Sequence, residues 1–230
     1  MWSNAEIGRA TRENLPNKEF NQPLTKKSRT HDSDNVHSEC RVTRVVHILG
    51  RKYPLTDTFY KYLDIEVRIG GSCDVELAIG DSRGNEIKFS MDTWKDLLRK
   101  RHNILQIFAD TSETSSEPIS INDVTVKFRQ LNDVKLARLS NSTVSMFMSE
   151  KTVQKLFGFE YCIDHMYSWL SEILYLVESK YNRFIEIIQN AEIKDYAKAI
   201  VESENFERHS LIDSELLALG LDVMLEYSYQ

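Results

Sequence analysis

The chain has 230 residues and a formal net charge of −6, and its 41% hydrophobic and 28% charged residues are typical of a globular fold rather than a fibrous or low-complexity chain. No apolar run approaches the roughly 18 residues that a membrane helix needs, and the N-terminus lacks the apolar segment of a secretory signal. Three cysteines without close spacing, Cys40, Cys73 and Cys162, argue against a disulfide framework and a zinc site and favour an intracellular protein.

Residues 1–40 are polar and follow neither a strand period nor a helix period, so we predict a disordered arm. Within it, "PLTKKSR" brings Lys26, Lys27 and Arg29 close together. Such a cluster is compatible with a nuclear import signal, with a phosphate contact or with ordinary loop charge. We expect the nucleus rather than the cytoplasm, and no contact with a membrane.

Residues 41–108 predict a first sheet-plus-helix unit. The β-branched stretch "RVTRVVHIL" predicts a first strand, and "LDIEVRIGG" alternates so that Ile65, Val67 and Ile69 share one face. "DVELAIGDSRGNEIKFSM" predicts a hairpin, because its turn is rich in residues that tolerate a positive φ. A helix follows, with Asp92 as the predicted N-cap and apolar residues at helical spacing.

Residues 109–120, rich in Ser and Thr, predict a linker, and residues 121–160 then repeat the order of the first unit. Three short strands are predicted in "INDVTVKFRQ", "DVKLARLSN" and "STVSMFM", and Ser149 is the predicted cap of the next helix. The predicted fold class is α+β. Two tandem antiparallel sheet-plus-helix units, an internal duplication, are followed by a long C-terminal helix and a short helical tail.

The last predicted region, residues 161–230, is helical and acidic. From residue 156 onward the chain has 5 basic and 14 acidic residues. Its apolar residues follow a heptad spacing, which keeps one side of a helix facing a neighbour. This heptad stripe consists of Ile163, Tyr167, Leu170, Leu174, Val177, Tyr181, Phe184 and Ile188. Two interpretations stay open: the stripe packs against its own chain, or it binds a second copy or another helical protein through residues 163–188.

Catalytic signatures are absent from the sequence. There is no nucleophile elbow and no dinucleotide fingerprint, and the six histidines do not form helical ligand pairs. Asp92 and Asp96 lie one turn apart at a helix start, where a cap and a dipole partner explain them better than acid–base chemistry. We therefore predict a non-enzymatic protein with no cofactor and no metal.

The segment "EIKFSMDTWKDLL" resembles the C-terminal part of the positive cofactor four family, which are single-stranded-DNA-binding transcriptional coactivators. The residues that hold the corresponding spacing are Ile87, Phe89, Trp94 and Leu97. The similarity covers residues 65–108, and Trp94 carries over only as a packing residue. The basic, aromatic strand motif of that family is not found here, and "ELAIGDSRG" stands in its place.

The resemblance implies that single strands bind the outward face of the sheets and that the tandem copies stand in for a dimer. The candidate residues are Arg68 and Lys88 in the first unit, and Lys127, Arg129, Lys135 and Phe147 in the second. Basic groups beside an exposed aromatic ring suit single-strand binding, although an ordinary solvated sheet face is the alternative. The leading hypothesis is a transcription-associated cofactor that binds single-stranded DNA or RNA. The alternative is a protein-interaction or oligomerisation module.

Overall fold

A computed structural model describes residues 44–70, 72–110, 117–192 and 195–228, and the predicted disordered arm with its basic cluster lies outside them. The strands are β1 (Val46–Pro54), β2 (Lys61–Gly70), β3 (Ser72–Asp81), β4 (Glu86–Phe89), β5 (Ile119–Ile121), β6 (Val124–Leu131), β7 (Val134–Ser140) and β8 (Ser145–Ser149). The helices are α1 (Met91–Arg99), α2 (Arg101–Ala109), α3 (Glu150–Gly158), α4 (Glu160–Asn190), α5 (Tyr196–Glu202) and α6 (Leu211–Ser228).

The strands form two separate antiparallel sheets, and in each sheet every strand pairs with its neighbour in sequence. The first sheet has the order β1-β2-β3-β4 and is followed by α1 and α2, whereas the second has the order β5-β6-β7-β8 and is followed by α3 and α4. The predicted α+β class, with a repeated sheet-plus-helix arrangement and a long helix after it, is confirmed. Among the described residues, no helix combines the length and apolar character needed to cross a membrane.

The two units begin their first helices in the same way. The Ser90 side chain accepts a hydrogen bond from the backbone N–H of Thr93 at 3.1 Å, and Ser149 accepts one from Thr152 at 3.3 Å. Ser149 is therefore the cap that the sequence predicted. Asp92 is not the cap of α1. It lies inside the first turn, where its negative charge interacts favourably with the positive end of the helix dipole. Serine and aspartate cap almost equally well, so propensity could not choose between neighbouring candidates.

The second unit has four strands, not the three that its sequence predicted. Strand β5 begins within the stretch predicted as a linker, and it joins β6 through a turn in which Asn122 has a φ of 50°. Ile121 pairs with Val124 across that turn. With only three residues, β5 is too short to produce a recognisable alternation. The prediction was wrong because pairing with β6, not local pattern, makes this segment a strand.

A single hydrophobic core lies on the inner faces of the sheets, which are the faces that their alternating apolar residues share. On β2 these residues are at most 1% exposed, namely Leu63, Ile65, Val67 and Ile69. Helix α4 packs against β2, β3 and α6, and α3 packs against β7 and β8. Six of the eight members of the heptad stripe are buried within the chain, and Tyr167 and Leu174 are half-buried. The stripe therefore packs against its own chain.

Candidate nucleic-acid interface

The outer face of the second sheet, opposite the core, carries a row of basic and aromatic side chains. Lys127 on β6 pairs directly with Arg138 on β7, and Arg138 pairs with Phe147 on β8. Directly opposed residues of an antiparallel sheet point to the same side, with Cβ atoms about 5 Å apart. The register thus brings an ammonium group, a guanidinium group and a phenyl ring into one line across three strands. Arg129 lies two residues further along β6 and so shares this face.

Exposure and contacts within this row leave its groups accessible. Lys127 and Arg129 are exposed, and the side chain of Phe147 is 45% exposed. Arg138 is half-buried, with its guanidinium carbon 5.9 Å from the centre of the Phe147 ring. The same guanidinium donates a hydrogen bond to Ser145 Oγ at 3.0 Å. These contacts hold a cation beside an exposed aromatic ring, an arrangement that attracts both a phosphate and a base.

Acidic side chains are missing from this face. The outward residues are Thr125, Lys127, Arg129 and Leu131 on β6, then Val134, Leu136, Arg138 and Ser140 on β7, and Ser145, Phe147 and Ser149 on β8. Within the part of the chain that the structure describes, none of the three basic residues forms an ion pair. No carboxylate among the described residues therefore neutralises their three positive charges.

Lys135 was predicted on the same face, and this placement was wrong. The hairpin between β6 and β7 turns at Asn132 and Asp133, whose φ angles of 47° and 62° suit a two-residue turn. Such a turn fixes the pairing, so Lys135 lies opposite Gln130 on the other face. There its ammonium donates to the backbone carbonyl of Ile107 at 3.0 Å and to that of Asp110, and so caps the C-terminal end of α2.

Arg138, which sequence analysis did not select, takes the position that was assigned to Lys135. The signal was present in "RQLNDVKLAR", because Asn-Asp flanked by apolar residues indicates a two-residue turn. Counting outward from that turn pairs Leu131 with Val134 and then Lys127 with Arg138. Without the turn type, the face of each β7 side chain stays undetermined, because a shift of one residue exchanges the two faces.

The outer face of the first sheet differs, because its cations are paired. Arg68 forms a salt bridge with Asp74 and lies 3.8 Å from a carboxylate oxygen of Glu76, and Lys88 lies 2.6 Å from the other oxygen of Glu76. Any phosphate contact by Arg68 or Lys88 would have to break these pairs. The sequence could not show this pairing, since the partners lie on adjacent strands and meet only through the register.

Among the titratable groups on this face, His47 and Asp64 have shifted pKa values. The adjacent carboxylate of Glu66 raises the pKa of His47, although burial opposes the shift. Burial raises the pKa of Asp64, whose side chain is 2% exposed, while the neighbouring ammonium of Lys52 opposes that shift at 2.5 Å. The outer face of the first sheet thus pairs positive with negative side chains, whereas the outer face of the second sheet carries only positive charges.

The outer side of α4 is the part of that helix open to a partner. Tyr161 and Tyr175 are each 82% exposed, and Trp169 is 40% exposed. Partner binding through residues 163–188 stays a prediction, and it must use exposed residues of this kind, because most of the heptad stripe lies in the core.

No family model matches the chain, and no curated protein matches it. The resemblance of residues 65–108 to the positive cofactor four family therefore stays a prediction. Function has to be inferred from the two contrasting sheet faces.

Proposed function

We propose that the protein binds single-stranded nucleic acid, DNA or RNA, on the outer face of its second sheet and has no enzymatic activity. The observation that supports this proposal best is the row formed by Lys127, Arg138 and Phe147, which stands on a face without acidic residues. Phosphates gain affinity by replacing their condensed counterions with Lys and Arg. The sequence resemblance adds a transcription-associated role in the nucleus to the proposal.

A single strand fits this face better than a duplex does. In a duplex the bases already stack on one another, so an aromatic ring on a sheet gains little from them. In a single strand a free base can stack on Phe147 while its phosphates reach Lys127 or Arg129. Stacking of this kind does not depend on base identity, so we expect weak sequence preference. The paired charges of the first sheet argue for one binding face per chain.

Reversing two charges on this face is expected to weaken binding and to reduce its salt dependence. For a single strand, the logarithm of affinity falls with the logarithm of salt by about 0.7 per phosphate contact. The double variant Lys127→Glu with Arg129→Glu should therefore reduce the slope by about 1.4 if each residue contacts one phosphate. Both side chains are exposed and form no ion pair with a described residue, so the variant should fold. Fluorescence anisotropy of a labelled oligonucleotide, titrated at several salt concentrations, measures the slope.

The matched control makes the same change in net charge at two residues that do not belong to the outer face of the second sheet. Lys95 in α1 and Arg208 before α6 are both exposed, and no described residue forms an ion pair with either. Lys95→Glu with Arg208→Glu should leave the slope nearly unchanged. If the salt slope decreases equally in both double variants, the attraction to the nucleic acid comes from overall charge and not from this face. If folded wild-type protein shows no binding at low salt, the nucleic-acid proposal is wrong.

Removing the aromatic ring should have a different effect. Phe147→Ala is expected to cost about 1–3 kcal/mol of binding free energy while the salt slope stays nearly constant, because stacking is not screened by ions. Phe59 is the matched control, since it is also 45% exposed but lies in the connection between β1 and β2. Phe59→Ala should leave affinity unchanged in the same anisotropy assay. Equal losses in both variants would contradict a stacking role for Phe147.

A protein-interaction module is the second candidate function, and the exposed aromatic side chains of α4 favour it. Tyr161, Trp169 and Tyr175 place large apolar surfaces on one exposed helix, a feature typical of interaction sites. The interaction function is supported if no oligonucleotide binds and the protein self-associates in sedimentation experiments.

A further inference from the structure

A cluster of potential metal ligands lies on the outer face of the first sheet, away from the proposed nucleic-acid interface. His47 on β1, Glu66 on β2 and Glu76 on β3 each offer one ligand atom, and these three atoms all lie within 4.8 Å of one another. The strand register produces the cluster: Glu66 pairs directly with Glu76, and His47 pairs with Arg68, the next residue on the same face of β2. Three adjacent strands therefore converge on one point with a nitrogen and two carboxylates.

The charges around the cluster leave one carboxylate without a cation. Asp64 has Lys52, and the carboxylate of Asp74 neutralises Arg68. Glu76 has Lys88 at 2.6 Å. Glu66, with a side chain only 19% exposed, has His47 as its sole ionic partner in the part of the chain that the structure describes. Glu66 is thus a largely buried carboxylate that has no Lys or Arg partner among the described residues, and a cation beside it would offset the cost of burying its charge.

The imidazole of His47 is directed at the two carboxylates of this cluster. Nδ1 of His47 lies 2.6 Å from a carboxylate oxygen of Glu66. The atom is buried and lacks a well-directed hydrogen bond, so the short contact is electrostatic rather than a well-formed N–H···O bond. A ring nitrogen that faces two carboxylates in this way is arranged as it would be around a cation.

Gly50 gives the Glu66 carboxylate its space. It lies in the irregular part of β1 between Ile48 and Arg51, where the pairing with β2 shifts. A Cβ atom at Gly50 would stand 3.1 Å from Oε2 of Glu66. Because glycine has no Cβ, the carboxylate can turn toward His47 and Glu76 without a steric conflict.

We propose that His47, Glu66 and Glu76 bind one divalent transition-metal ion of the Zn²⁺ class. One imidazole nitrogen with two carboxylates suits such ions, whereas Mg²⁺ and Ca²⁺ prefer oxygen ligands alone. The sequence predicted no metal site because the histidines lack ligand spacing along the chain, but these ligands lie on three different strands. Lys88 competes with the ion for Glu76, so its ammonium must move away when the metal binds.

The test is a calorimetric titration of the full chain with Zn²⁺ at pH 7.5. His47→Gln, Glu66→Gln and Glu76→Gln should each weaken binding at one site by more than about tenfold. A loss of about tenfold can already follow from removing an outer-shell partner, so removing a direct ligand should cost more. Glu86→Gln is the control, because Glu86 stands on the same face of β4 and the substitution removes the same charge. Any other Zn²⁺ site in the chain contributes equally to all variants, so only the differences count.

A variant that strengthens binding separates this proposal from simple loss of structure. Lys88→Gln removes the ammonium that competes for Glu76, and it should bind Zn²⁺ more tightly than the wild type, which an unfolded variant would not do. Melting curves in EDTA should show that all five variants are folded. The proposal is overturned if the three ligand variants bind Zn²⁺ as the wild type does. It is also overturned if Glu86→Gln loses as much affinity as Glu66→Gln, because net charge alone would then explain the binding.

Discussion

Val177→Glu is expected to unfold the chain or to leave it barely stable. Val177 is 0% exposed on the side of α4 that belongs to the core. A glutamate there would bury a carboxylate without a partner, at a cost of several kcal/mol. A domain of this size has a free energy of unfolding of only about 5–15 kcal/mol. Urea denaturation followed by circular dichroism measures the loss.

The adjacent residue provides the control. Leu176 is 47% exposed, so Leu176→Glu makes a similar chemical change in contact with water. Its stability should stay within about 0.5 kcal/mol of the wild type. Sedimentation separates the two interpretations of the heptad stripe. A folded Val177→Glu variant that merely changes from dimer to monomer would show that the stripe is an interface between chains and not part of the core.

The strands of the first sheet could be predicted from the sequence because their alternation is long. Ile65, Val67 and Ile69 alternate with charged residues, and the structure buries all three. The heptad stripe was equally clear as a pattern. The partner that packs against the stripe could not be predicted, because the same apolar stripe can pack against a sheet of its own chain or against a second chain. Periodicity defines which side is buried but not what lies against it.

The interface was less predictable than the fold, since it depends on register. Lys127, Arg129 and Phe147 were placed correctly on the outer face, but Lys135 was assigned to it in place of Arg138. Charge pairing across strands was also hidden. Nothing local in the sequence distinguishes Lys88, which pairs with Glu76, from Lys127, which has no acidic neighbour on its face. Long-range pairing decides which cations are free.

Asp213→Ala is expected to be strongly destabilising, because Asp213 joins α4 to the start of α6 while it is 0% exposed. Its carboxylate accepts hydrogen bonds from Lys180 Nζ at 3.0 Å, from the backbone N–H of Glu207 at 2.7 Å and from Ser210 Oγ at 3.0 Å. The substitution would leave these donors without their shared acceptor. Removing one member of a buried ion pair costs about 3–5 kcal/mol, and here the exposed carboxylate of Glu207 compensates the remaining charge of Lys180 only in part. Urea denaturation at pH 7 measures the difference.

Glu207 is the control for this ion pair, since it also lies 3.0 Å from Lys180 Nζ but its side chain is 71% exposed. Glu207→Ala should cost less than about 1 kcal/mol, as exposed ion pairs do.

Burial lowers the pKa of Lys180, but hydrogen bonds to Glu207 and Asp213 outweigh it and raise the pKa above its usual 10.5. The ammonium therefore stabilises the fold fully below pH 10.5, and this contribution is lost as the pH rises through the higher folded-state pKa. Between pH 10.5 and that folded-state pKa, wild-type stability should fall more steeply with pH than that of Lys180→Met. Two results together would contradict this prediction: equal losses of stability in Asp213→Ala and Glu207→Ala, and parallel pH profiles of the wild type and Lys180→Met. The buried pair would then contribute no more to stability than the exposed one.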